Sequence, residues 1–93
     1  MEVNILLVDD DQDVNFSFKS LLEDEGYNVY TAFNENQAMA IITERDIHLV
    51  IMDYLLEDNT GVDIARKLKD LDQSLKIIFV SGFLAVLDMV NEI

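Results

Sequence analysis

Apolar residues in this chain fall into two kinds of run. Ile5-Leu6-Leu7-Val8, Leu49-Val50-Ile51-Met52 and Ile77-Ile78-Phe79-Val80 are unbroken, the pattern of strands buried on both faces of a parallel sheet. Between them the apolar residues recur at helical spacing. In Gln12 to Asp24, Val14, Phe18, Leu21 and Leu22 fall at i, i+4, i+7 and i+8 and make one face. Asp11 is placed to cap that helix and Gly26 to stop it. Asn28 to Ala32 is β-prone but mixed in polarity, which predicts an edge strand. Asn34 predicts the cap of a second helix, running to about Thr43 with Ala38, Ile41 and Ile42 inward. Gly61 leads into a third, ending near Leu71, with Val62, Ile64, Ala65, Leu68 and Leu71 as its apolar face. Lys76 to Val80 is a fourth strand, and Ser81-Gly82 separates it from a last helical segment, Phe83 to Ile93. Strands alternating with helices in this way predict a parallel sheet with right-handed crossovers and helices on both faces.

Composition narrows the class. The 93 residues make one domain with enough apolar content, 51%, to bury a core despite a net charge of -13. That charge argues against direct nucleic-acid binding, which needs a basic stripe, and suits cations and basic partners. There is no cysteine, so neither a disulfide framework nor thiolate chemistry is expected. No long apolar stretch or leader pattern is present, so a membrane span is not expected and the cytoplasm is the expected compartment.

The candidate chemistry sits where strands end. The first strand runs into Asp9-Asp10-Asp11 and the third into Asp53. Ligands of open parallel sheets bind beyond the carboxyl ends of the strands, where strand order reverses. Carboxylates delivered there from two neighbouring strands make an anionic pocket for a hard divalent cation; the plainer reading is that each Asp stops a strand and caps a helix. A carboxylate can also attack a phosphoryl donor to give an acyl phosphate. Magnesium takes one or two carboxylates and keeps positions for phosphate, an inventory that Asp10 and Asp53 fit, with Asp9 ligating through water or orienting it. Ser81 follows the fourth strand, where a hydroxyl could donate to a phosphoryl oxygen, and Gly82 leaves room beside it.

With those residues in place, the chain resembles the receiver domain of two-component response regulators over its whole length. The matching pieces are Leu7-Val8-Asp9-Asp10, Asp53, Gly61 eight residues beyond it, Ser81-Gly82, and Glu25-Gly26-Tyr27 at the end of the first helix. The resemblance implies a flavodoxin-like, doubly wound parallel sheet of order 2-1-3-4. It also implies a phosphoacceptor at Asp53, an acidic pair in Asp9 and Asp10, and a magnesium site completed by Asp53 and the Leu55 backbone carbonyl. Ser81 is then the hydroxyl that shifts on phosphorylation, beside Gly82, and the phosphodonor is a histidine kinase or phosphotransfer protein. The implied role is signalling rather than enzymatic turnover.

The departures shape the expectation. Glu57 stands where the family usually has proline. A complete receiver adds a fifth strand, carrying a lysine that pairs with the phosphoryl group and an aromatic switch residue, and a fifth helix. None of Lys19, Lys67, Lys69 and Lys76 is at the matching position. The expectation is a truncated receiver over 1–93, lacking the fifth strand and helix.

Two functional readings stay open. One is a phosphoacceptor module; the other is a receiver-like interaction or dimerisation module that does not use phosphorylation. A continuously apolar fourth strand and the apolar segment 83–93 predict a homodimer through strand 77–80 or through helix 83–93. A haloacid-dehalogenase-type phosphatase is disfavoured, because Asp13 or Asn15 stands where that pattern needs threonine or valine. His48, with no metal-spaced neighbours, reads as a loop residue rather than a ligand.

Overall fold

The computed structural model describes residues 2–53 and 61–80. The expectations for Leu55, Glu57, Ser81, Gly82 and the helix at 83–93 fall outside the described residues. Within them, the elements run β1 (Asn4–Val8), α1 (Gln12–Asp24), β2 (Asn28–Ala32), α2 (Glu35–Glu44), β3 (Leu49–Asp53), α3 (Gly61–Leu71) and β4 (Lys76–Val80). The four strands are all parallel, in the order β2-β1-β3-β4. This is the doubly wound arrangement that the alternating pattern predicts.

Strand periodicity divides the core into two layers. Leu6, Val8, Val50 and Met52 point to one face, where they meet Ala38 of α2 and Ile64 and Leu68 of α3. Ile5, Leu7, Leu49 and Ile51 point to the other, where Phe18 and Leu22 of α1 cover them. Between their polar ends, Asn4 and Asp53, the central strands are thus continuously apolar because each face has its own helices to meet. β2, at the margin, is only partly buried.

Helix ends follow local chemistry. Asp11 Oδ1 accepts from the Asp13 and Val14 amides at 2.9 and 3.2 Å, starting α1. Gly26, with φ of 96°, ends it: the Gly26 amide donates to the Glu23 carbonyl at 3.0 Å and the Tyr27 amide to the Leu22 carbonyl at 3.2 Å. That pair of bonds needs a left-handed residue, which glycine supplies at no steric cost. Asn34 caps α2 by accepting from the Gln37 amide.

Some expectations need correction. Val62 and Leu71 were expected on the buried face of α3, yet they are 37% and 54% exposed. The buried arc is Gly61, Ile64, Ala65 and Leu68, and at roughly 100° per residue Val62 and Leu71 fall at its margins. β4 is less enclosed than its sequence suggests, with Phe79 41% exposed; among the described strands it has a neighbour on one side only. His48 is a loop residue just before β3, as expected, and it also has a structural partner. Its Nδ1 accepts the Asn4 amide at 2.9 Å, and its own amide donates to the Asn4 carbonyl at 2.9 Å, tying the start of β3 to the start of β1.

Candidate acidic site

The register of the sheet builds the site. Val8 of β1 lies opposite Met52 of β3, so the next residue on each strand, Asp9 and Asp53, meets the other at the carboxyl edge. One further residue brings Asp10. Carboxylate oxygens of Asp9, Asp10 and Asp53 lie within 4.8 Å of one another. Ligand oxygens around one magnesium ion, at about 2.1 Å from it, are at most about 4.2 Å apart, so the three donors would have to draw closer to share a single ion. All three donors are hard oxygens, which suits magnesium or calcium rather than zinc or copper.

The acidic run does not act as a block. Asp11 is committed to capping α1 and takes no part in the cluster, so the plainer reading of the run holds for this one residue. Asp10 is exposed, and Asp9 and Asp53 are partly buried. Asp9 is held from several sides. Its amide donates to the Ala32 carbonyl at 3.1 Å, its Oδ1 accepts the Asp11 amide at 2.9 Å, and its carbonyl accepts from Asn15 Nδ2 at 2.7 Å. Burial is the main cause that pushes the Asp9 carboxyl up to about 6; the Asp11 amide works against it, and the charges of Asp53, Asp10 and Asp11 add to it. The repulsion expected of a crowded carboxylate pocket is therefore present, but desolvation outweighs it.

Asp53 is fixed from below by a close approach. At Gly61, the first residue of α3, an added Cβ would run into the Asp53 carbonyl oxygen and come within 2.8 Å of Met52 Cγ. The helix can start against the end of β3 only because residue 61 has no side chain. A small cavity beside the cluster is lined by Leu7, Val8, Asp9, Asn15, Phe18, Ile51, Asp53 and Val80. Asn15 belongs to this site although the apolar pattern of α1 does not single it out. It is 2% exposed and spaced i, i+3, i+7 with Phe18 and Leu22, so it shares their buried face.

Comparison with known proteins places this geometry. Residues 5–93 match the response regulator receiver domain family. The chain belongs to that family. It is 34% identical over 82 residues to the response regulator receiver protein CpdR of Brucella abortus (strain 2308), covering 88% of this chain and 68% of that one. It is 29% identical over 92 residues to sporulation initiation phosphotransferase F of Bacillus subtilis (strain 168), covering 99% of this chain and 73% of that one. Among solved structures, a CheY-like receiver domain protein from Methanospirillum hungatei JF-1 superimposes with a TM-score of 0.83 at 32% identity, over 97% of this chain and 72% of that one. Receiver domains bind magnesium at an acidic pocket and take part in two-component signalling with histidine kinases or phosphotransfer proteins. No helix among the described residues is long and apolar enough to cross a membrane.

Proposed function

We propose that this receiver is a phosphoacceptor, with Asp53 as the modified residue and magnesium held by Asp9, Asp10, Asp53 and the Leu55 backbone carbonyl. The observation that carries the reading is the meeting of three carboxylates at the carboxyl edge of β1 and β3. In the reaction, a carboxylate oxygen of Asp53 attacks phosphorus. The bond to the donor breaks, and the leaving group keeps the electron pair and is protonated. The donor is a histidine kinase or phosphotransfer protein carrying phosphohistidine. Bound magnesium would offset the negative charge on the phosphoryl oxygens as it builds up. Ser81 would donate to one of those oxygens, beside Gly82.

Incubation with acetyl phosphate and magnesium, read by intact mass, tests this. One phosphoryl adduct is expected on the parent chain and none on Asp53→Asn. An unmodified parent would leave the alternative, a receiver-like module that acts by assembly alone. The exposure of Phe79 on β4 supports self-association under either reading, through strand 77–80 or helix 83–93.

A further inference from the structure

Asn15 is the one buried polar side chain among the described residues, and nothing in the packing of α1 requires it. Its neighbours on that helix face, Phe18 and Leu22, are apolar, and an apolar side chain would fill the place without a polar group to desolvate. Its amide is only half satisfied. Nδ2 donates to the Asp9 carbonyl at 2.7 Å and reaches the Ala32 carbonyl at 3.4 Å, while Oδ1 is buried with no hydrogen-bond partner among the described residues. The donor end therefore points at two backbone carbonyls, which also settles which end of the amide is nitrogen. Burying such a group costs stability, and the bonds it makes fall at one place, the carboxyl ends of β1 and β2 beside the acidic cluster.

We propose that Asn15 is a positioning residue for the metal site, acting through the backbone of Asp9. The peptide of Asp9 is then held at both ends: its amide by the Ala32 carbonyl, its carbonyl by Asn15. With the backbone fixed, the Asp9 carboxylate turns back to take the Asp11 amide and faces Asp10 and Asp53 within the 4.8 Å cluster. Without Asn15, the strand end loses its tie to α1, and the carboxylate has more orientations to give up when an ion binds. The inference rests on the magnesium reading for its effect on binding, but not for its effect on the Asp9–Asp11 turn.

Asn15→Leu removes the donor and keeps the number and branching of the side-chain heavy atoms. Calorimetric titration with magnesium should show affinity reduced by about tenfold, the lower end of what losing a supporting hydrogen bond costs a metal site, with a melting temperature close to the parent. Hydrogen exchange at the Asp11 amide should speed up at the same time, since its acceptor is no longer held. Unchanged affinity together with unchanged Asp11 exchange would overturn the proposal. If the parent itself binds no magnesium, the metal reading fails, and Asp11 exchange alone decides whether Asn15 positions Asp9. Should the leucine variant not fold, Asn15→Ala is measured in the same two ways: faster Asp11 exchange supports the positioning role, and unchanged exchange with unchanged affinity overturns it.

Discussion

At the scale of single residues, the acidic run shows that identical side chains take separate roles from their surroundings. Asp11 gives its oxygen to the amides of the first turn of α1, Asp10 stays in solvent, and Asp9 is drawn partly below the surface. The Asp9 carboxyl is raised to about 6 from an ordinary 3.8. A carboxyl raised on folding stabilises the protein when protonated: the native state keeps a proton that the unfolded chain has released. Without metal, stability from this group is full below about pH 4 and is lost as pH rises to about 6. The lowered carboxyl of Asp72, held by the Ser74 hydroxyl and amide, has the opposite sign and acts below 3.8, so the two windows separate. Thermal melts between pH 4 and pH 7 should show a decline that Asp9→Asn removes. Magnesium should reverse the trend, because the ion competes with the proton and stabilises the native state by mass action. A melting temperature indifferent to magnesium at pH 7 would count against an assembled site.

At the scale of elements, the contact between α3 and β3 is set by one missing side chain. Alanine at position 61 would gain helix propensity worth about 1 kcal/mol, but its Cβ has to displace the Asp53 backbone carbonyl. Overpacking against backbone costs about 1–3 kcal/mol, so the clash outweighs the propensity. Gly61→Ala is expected to lower the melting temperature by several degrees and, by shifting Asp53, to slow phosphorylation by acetyl phosphate more than the loss of folded protein explains. At the other end of the sheet, His48 accepts the Asn4 amide through Nδ1, so its proton must sit on Nε2. Nitrogen NMR should find that tautomer, and His48→Phe should loosen the start of β1 and β3 while sparing the acidic cluster. Every described helix and strand was legible, because unbroken runs mark doubly covered strands and Asp11, Gly26 and Asn34 mark helix ends by mechanisms that act locally. The meeting of Asp9 and Asp53 was legible too, since both end strands. Less legible were features set by other elements: Val62 and Leu71 at the margins of a helix face, and the tie from Asn15 to Asp9. A polar residue at i−3 from Phe18 and i−7 from Leu22 was the available signal for the last.

At the scale of the whole molecule, the apolar strand β4, paired on one side among the described strands, and a large negative charge oppose each other. Among the described strands β4 pairs only with β3. Its Ile77 and Ile78 are partly buried and Phe79 is 41% exposed. Natural edge strands are kept apart by charges, bulges or short length, and in β4 the only charged residue is Lys76, at its start. Pairing of two such edges across a twofold axis would bury them and continue the sheet from one copy into the next. The net charge of -13 on each copy works against that approach, and salt screens it. Self-association is therefore expected to strengthen as ionic strength rises, the reverse of an assembly held by ion pairs. Light scattering should give a mass approaching twice 10.6 kDa at high protein concentration and high salt, falling toward the monomer as salt is removed. Phe79→Glu places a charge on the edge and should keep the chain monomeric, while the Asp9, Asp10 and Asp53 cluster, built on β1 and β3 rather than β4, should still respond to magnesium. A monomer mass across the whole concentration and salt range would exclude the paired edge.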